Sequence, residues 1–273
     1  PDTQRTKEPP VDSALQAKAA KDLLGAYASR TPIPPLIETF KDIAFEDAYA
    51  IQKLQIDRLL EDGRVVKGHK VGLTSAAMQK QLGVDQPDFG HLLDDMFYLE
   101  NTPIPMDVWL QPRVEPEVAF VLGRPLRGPG VTIADAVRAV DFVLPAIELV
   151  DSRVKDWKIS IIDTIADNAS SGGVVLGGKP TKLSDVDLRL IGCTLYKNGQ
   201  IVGTGANGAV MGNPLNSLVW LANTVGPQGV TLEPGHVVLP GSVTKLQAVS
   251  PGDTFVANWG VLGTVTARFA KEN

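Results

Sequence analysis

Between residues 13 and 61 apolar side chains return every three to four positions. Beyond Gly63 they return every second position or run together in short β-branched stretches. Residues 13–29 (SALQAKAAKDLLGAYAS) predict a helix, ended by Pro32, Pro34 and Pro35. Phe45, Ala48, Tyr49, Ile56, Leu59 and Leu60 form the apolar stripe of a second helix over 45–61, stopped at Asp62-Gly63. The polar, proline-bearing residues 1–11 read as a loose arm. The later runs VVKGHKVGL, EVAFVL, FVLPAIELV, SGGVVLG, CTLYKNGQIVG, HVVLPGSV, TFVANWG and LGTVTARF predict strands. Asn198-Gly199 between two of them predicts a tight hairpin. Two helices interrupt the strands. One opens at Thr132 with Asp135 as its capping partner, and one at Asn213-Pro214. The expected class is α+β, with a helical part over 1–66 and a β-rich body over 67–273.

Composition narrows the function classes. The chain is 44% apolar and 21% charged with a net charge of −5, which suits a globular protein with a full core. No basic stripe is available to neutralise phosphates, so nucleic acid is not expected as a partner. No apolar run is long enough to span a membrane, and PDTQRTKEPP lacks the features of a signal peptide. Cys193 is the single cysteine, so neither a disulfide framework nor a thiolate metal cluster is expected, and a reducing cytoplasm fits.

The segment RVEPEVAFVL (113–122) holds two carboxylates at the mouth of an apolar run. In a strand, residues two apart share a face, so Glu115 and Glu117 lie with Ala119 and Val121. Pro116 cannot donate to a ladder and argues for an edge or a strand beginning. A third carboxylate, Glu148, interrupts VLPAIELV (143–150). Burying such charges uncompensated costs several kcal/mol. From the residues alone, exposure of the pair at the strand entrance, or neutralisation by Arg113 and a lysine, is the simpler solution. Three carboxylates around a hard divalent ion, Mg²⁺ or Mn²⁺, is another.

Other segments carry polar groups where strands or turns are expected. Lys70 sits between glycines in GHKVGLT, either as an edge lysine or as a partly desolvated one balanced by carboxylates. GVDQPDFG (83–90) reads as a loop. DTIADNASSG (163–172) reads as a short capped helix and a loop. Leu239-Pro240-Gly241-Ser242 reads as a strand end turning tightly, with N–H groups able to hold an anion. GTGANG (203–208) matches a glycine-rich dinucleotide fingerprint but follows a hairpin strand, so a dinucleotide site is not expected. His69, His91 and His236 are scattered without zinc-ligand spacing, and no G-x-S-x-G elbow is present.

Taken together and in order, GHKVGLT, GVDQPDFG, QPRVEPEVAFVL, VLPAIELVDSR, DTIADNASS and GNPLNSLVWLA resemble the 2-hydroxypenta-2,4-dienoate (2-oxopent-4-enoate) hydratases of the fumarylacetoacetate hydrolase superfamily. The resemblance runs from about Ala48 to Phe269. It implies a β-rich mixed-sheet roll of the fumarylacetoacetate hydrolase C-terminal type behind an N-terminal helical part. It implies metal ligands at Glu115, Glu117 and Glu148, a Mg²⁺ or Mn²⁺ cofactor, and catalytic roles for Lys70 and Asp88. Substrate contacts fall on Ser170 and, more loosely, on Gly241 and Ser242. The implied reaction adds water to a small 2-hydroxy-dienoic acid from aromatic or steroid ring breakdown, giving 4-hydroxy-2-oxopentanoate. A homo-oligomer, pentamer or decamer, is implied, with an aldolase or decarboxylase as a further partner. A 4-oxalocrotonate-type decarboxylase, a hydratase for a longer dicarboxylate and a non-catalytic partner in a hydratase–decarboxylase complex are the competing readings.

Overall fold

The computed structural model describes residues 13–41, 43–76, 79–80 and 84–271, so the arm expected over 1–11 lies outside the described residues. Three helices come first: α1 (Ser13–Ser29), α2 (Leu36–Thr39) and α3 (Phe45–Glu61). The strands are β1 (Val66–Gly72), β2 (Asp88–Leu93), β3 (Phe97–Tyr98), β4 (Pro103–Ile104), β5 (Arg113–Leu122), β6 (Val140–Val150), β7 (Ser171–Leu176), β8 (Gly192–Lys197), β9 (Gln200–Ala206), β10 (Val237–Leu239), β11 (Gln247–Ala248), β12 (Thr254–Asn258) and β13 (Thr264–Phe269). Helices α4 (Ile133–Ala139), α5 (Ile161–Ala166) and α6 (Pro214–Val225) lie between them.

Two sheets form. The larger runs β2-β1-β10-β5-β6-β7-β3, with β11 also on β5, and the smaller runs β4-β13-β12-β8-β9. Alternation sorts the larger sheet's side chains. Val114, Val118, Phe120, Ile147, Leu149, Val175 and Val238 point to the main core, with Leu218 and Leu221 of α6 and with Leu195, Phe255 and Val265 of the smaller sheet. The opposite face carries Leu92, Ala119, Ala146, Val174 and Leu239 as a smaller apolar cluster. Glu115 and Glu117 share that second face, as their spacing predicts.

Of the two placements expected from Pro116, an edge or a strand beginning, the edge is not found, and Pro116 is the fourth residue of β5. Strand β5 is central, with β6 on one side and β10 and β11 on the other. Its pairing with β11 stops at Val114 and that with β10 begins at Phe120. Pro116 falls in the break between them, where the Ser242 hydroxyl reaches the Pro116 carbonyl at 3.3 Å. A missing N–H is tolerated there because no strand lies opposite on that side. The loop expected over 83–90 is also corrected, because Asp88-Phe89-Gly90 already belongs to β2.

The helix starts follow their caps. Thr132 and Asp135 cap α4 reciprocally, and the Asn213 side chain accepts from Leu215 N–H at 3.0 Å ahead of Pro214. The hairpin between β8 and β9 turns at Asn198 and Gly199, both at positive φ, as Asn-Gly predicts. In GTGANG, Gly203 and Gly205 belong to β9, and Cβ atoms there would meet Thr244 and Val243.

The buried stripe of α3 is rotated from the one expected. Gln52 and Gln55 are buried, whereas Leu60 is exposed and Leu59 only half-buried. The amide of Gln52 donates to Phe89 O at 2.9 Å and Ile165 O at 2.8 Å, and that of Gln55 to Ala166 O at 2.6 Å. Hydrogen bonds to the carbonyls of β2 and α5 repay the burial of two amides. Ala20, Leu23, Leu36, Phe40 and Ile51 then pack with Ile165 and Ala166 of α5.

Asp163 joins these parts. Its Oδ2 accepts from Ser160 N–H at 2.8 Å, closing the α5 capping box, and its Oδ1 accepts from Leu36 N–H at 2.6 Å at the start of α2. Asp163→Ala removes the cap and orphans a buried N–H, a loss of roughly 2–4 kcal/mol. Urea unfolding checks this, and a change below about 0.5 kcal/mol, the scale of an ordinary surface substitution, would show that the junction does not depend on the carboxylate.

Candidate active site

Glu115 on β5 is paired directly opposite Glu148 on β6, and Glu117 lies one pleat further along the same face. One carboxylate oxygen from each of the three lies within 4.8 Å of the others. Glu117 and Glu148 are fully buried, and Glu115 keeps partial exposure. Exposure at a strand entrance therefore does not explain these charges. Glu117 Oε2 accepts from Gly241 N–H at 2.8 Å. Glu117 Oε1 and both Glu148 oxygens have no hydrogen-bond donor in good geometry.

Lys70 reaches the group from β1. Its pairing with Leu239 of β10 and with Gly90 of β2 puts its side chain on the face of the glutamates. Nζ lies 3.2 Å from Glu148 Oε1 and donates to Ala169 O at 2.9 Å. Burial opposes the lysine charge, but Glu148, Asp88, Glu115 and Glu117 outweigh it and hold the ammonium above the usual lysine range. Among these carboxylates Lys70 stands as an ammonium and a hydrogen-bond donor.

Asp88 stands at the start of β2, opposite Gly72. It is buried, and its Oδ1 has no hydrogen-bond partner among the described residues. A Cβ at Gly72 would fall on that oxygen, so the glycine makes room for it. Burial raises the Asp88 pKa, against the pull of Lys70. Burial and then the Glu148 charge push Glu115 up to about 8, and the same causes raise Glu117 further above the carboxylate range. Four carboxylates thus face one ammonium. At about 5 Å and an effective dielectric near 20, each like-charge pair costs roughly 3 kcal/mol. Protons relieve this, and so does a divalent cation. Among the described residues, Glu115, Glu117 and Glu148 form the group able to hold a metal ion. All-oxygen donors with orphaned buried lone pairs fit a hard ion.

The remaining expected residues sit close by. The Ser170 hydroxyl is buried, 3.3 Å from Thr164 Oγ1. Gly241 has φ 132°, where a Cβ would strike Thr74, and it turns its N–H to Glu117 rather than into open space. The Ser242 hydroxyl bonds the carbonyls of Pro116 and Thr244.

Sequence reasoning missed several contributors. Asn168, Ala169 and Ser170 all adopt left-handed backbone, with φ of 51°, 50° and 54°. Such a run costs about 1–2 kcal/mol per residue, and only the Asn, a residue that tolerates this region, signals it locally. The buried Arg153–Asp167 pair that flanks it and the Tyr49 ring stacked on Phe89 at 4.8 Å were not singled out either. Nor are the histidines scattered in space. His69 and His91 approach to 4.9 Å between ring centres, and His69 and His236 to 6.3 Å, on the face opposite Lys70. Burial and then the other two rings hold His69 well below the usual histidine range.

Known proteins share this arrangement of chain. The model of the fumarylacetoacetate (FAA) hydrolase C-terminal family matches residues 63–270. A 2-keto-4-pentenoate hydratase of Paraburkholderia xenovorans (strain LB400) is 46% identical over 252 residues, covering 92% of this chain and 94% of the relative. A 2-oxo-hept-4-ene-1,7-dioate hydratase of Escherichia coli is 42% identical over 264 residues, covering 94% of this chain and 99% of the relative. Among solved structures, 4-oxalocrotonate decarboxylase from Pseudomonas putida G7, complexed with magnesium and adipate, matches with a TM-score of 0.92 at 34% identity. That match covers 96% of this chain and 100% of the decarboxylase chain. A family match over 63–270, with relatives more than 40% identical over nine-tenths of the chain, shows that the chain belongs to the fumarylacetoacetate hydrolase family.

Proposed function

We propose that the chain is a divalent-metal-dependent hydratase that converts 2-hydroxypenta-2,4-dienoate and water into 4-hydroxy-2-oxopentanoate. The observation that carries this reading is the convergence of three carboxylates, with orphaned buried oxygens, beside the buried Lys70 side chain. It gains support from the 46% identity to a 2-keto-4-pentenoate hydratase.

Glu115, Glu117 and Glu148 would hold Mg²⁺ or Mn²⁺. When bound, the ion supplies Lewis-acid stabilisation of negative charge on the substrate C2 oxygen. Lys70 Nζ, already fixed by Glu148 and the Ala169 carbonyl, donates a hydrogen bond or proton toward that same oxygen. Asp88 Oδ1 is an acceptor without a partner among the described residues, and burial, which raises its pKa, favours its taking up a proton. In this reading Asp88 serves the terminal carbon and the incoming water. Protonation at the far carbon gives an α,β-unsaturated 2-oxo acid, and water then adds at C4. Ser170, Gly241 and Ser242 shape the wall beside the carboxylates and orient the substrate acid. The enzyme works as a cytoplasmic homo-oligomer, a pentamer or decamer, and an aldolase or decarboxylase is its natural neighbour.

The solved decarboxylase at a TM-score of 0.92 favours a second reading, decarboxylation of 2-oxo-hex-3-enedioate at the same site. One assay separates the two. Freshly generated dienol and the dicarboxylate are incubated with Mg²⁺ or Mn²⁺, with and without EDTA. The hydratase reading expects metal-dependent loss of dienol absorbance with 4-hydroxy-2-oxopentanoate appearing. CO₂ release from the dicarboxylate, with dienol accumulating, replaces it with the decarboxylase.

Two substitutions probe the residues. Glu115→Ala is expected to abolish metal-dependent turnover and leave the circular dichroism spectrum intact, and unchanged turnover would remove the metal assignment. Gly72→Ala places a methyl group on Asp88 Oδ1. It is expected to lower kcat by about tenfold or more, because small misplacements of a reacting group cost that much. A Gly72→Ala enzyme with normal kcat would argue against a catalytic Asp88.

A further inference from the structure

We propose that Arg153 is a positioning residue for Lys70, acting through the carbonyl of Ala169. Among the described residues Lys70 Nζ has two partners, Glu148 at 3.2 Å and Ala169 O at 2.9 Å. The first is a carboxylate of the metal group. The second is a backbone atom in the single left-handed turn Asn168–Ser170 between α5 and β7, where Ser170 N–H donates to Asp167 O and Asp151 N–H to Ser170 O, each at 2.9 Å. The direction of the ammonium therefore depends on whatever keeps that run in shape.

Arg153 grips both of its ends. The guanidinium bonds the Asp167 carbonyl before the run and the Ser171 carbonyl after it, the latter at 2.9 Å. It also pairs with the Asp167 carboxylate, whose Oδ2 accepts from Arg153 N–H at 2.9 Å. Both side chains are buried, so these bonds face no competition from water. From α1, Tyr27 closes the clamp. Its ring lies 4.5 Å from the guanidinium carbon, and its hydroxyl contacts Arg153 and donates to Ser171 O at 3.2 Å. A separate tie fixes the run to β2. The Asn168 side chain accepts from His91 N–H at 2.7 Å and donates to His91 O at 3.0 Å. The side-chain bonds of Arg153 go to Asp167, Ser171 and Tyr27, and none goes to Lys70 or the three glutamates. Its effect on the reaction passes through the Ala169 carbonyl.

Geometry requires arginine here. A lysine at 153 keeps the charge for Asp167, but a single ammonium does not present the planar fork that reaches two carbonyls and a hydroxyl together. Arg153→Lys thus loosens the clamp without leaving a buried carboxylate unpaired. The inference rests on the reading of Lys70 as the donor toward the reacting oxygen. It extends the active site to α1, which contributes Tyr27.

The test uses the full-length metal-loaded enzyme and 2-hydroxypenta-2,4-dienoate. Arg153→Lys is expected to lower kcat about tenfold or more while KM stays within about threefold, the mark of an interaction that matters in the transition state. The Mn²⁺ dissociation constant, measured by calorimetry without substrate, is expected to stay within about twofold, since the ligands are untouched. In a Lys70→Met background, Arg153→Lys is expected to cost at most about a further twofold, because the residue it positions is gone. Losses that multiply in the double variant, or a matching loss of Mn²⁺ affinity, would make Arg153 a general structural residue and overturn the inference. Normal kcat in Arg153→Lys overturns it too and leaves the Lys70 role standing. Normal kcat in Lys70→Met removes the Lys70 role itself. If Lys70→Met falls below detection, Asn168→Ala decides. It frees the same run from β2 with the ion pair intact and must show the same split between kcat and KM, and normal kcat there sinks the proposal.

Discussion

Like charges held together on a buried sheet face set the terms for the rest of this molecule. Glu115, Glu117, Glu148 and Asp88 converge on the ammonium of Lys70, and two of the glutamates are fully out of water. Their mutual repulsion and desolvation drive the strands apart unless the scaffold resists. Resistance comes from the placement of β5 and β6 at the centre of the larger sheet, with the main core packed against their other face. A central strand keeps its register because slipping by one residue would exchange Glu115 and Glu117 for Val114, Pro116 and Val118. The same register that builds the core thus delivers the carboxylates.

The surroundings are shaped by small residues and unusual backbone. Gly72 leaves space for Asp88, and Gly90 lets β2 pass close to the carbonyl of Asn168. The left-handed run at Asn168–Ser170 turns a carbonyl toward Lys70 at a local conformational cost. Buried hydrogen bonds from Arg153 and Asn168 offset that cost, and α1 and α3 press on the same region through Tyr27, Gln52 and Gln55. The helical part is therefore continuous with the site rather than an attached ornament.

Fold and reaction are separable in this family. A decarboxylase superposes on this chain with a TM-score of 0.92, while the sequences at 46% identity are hydratases. A shared fold therefore does not by itself fix the reaction.

Much of this was legible in the chain alone. Periodicity marked the helices and strands, because burial on one face leaves a repeat of 3.6 or 2 in the sequence. Asn-Gly marked the hairpin, Thr132 and Asn213 marked helix starts, and alternation put Glu115 and Glu117 on one face. These are local properties, decided by neighbours within a few residues. The meeting of Glu148 with Glu115, the central place of β5 despite Pro116, the gathering of the three histidines and the grip of Arg153 on both ends of the Asn168–Ser170 run are different in kind. Each depends on which strands become neighbours and in what register. That choice is made by packing across the whole sheet, and no short stretch of sequence contains it.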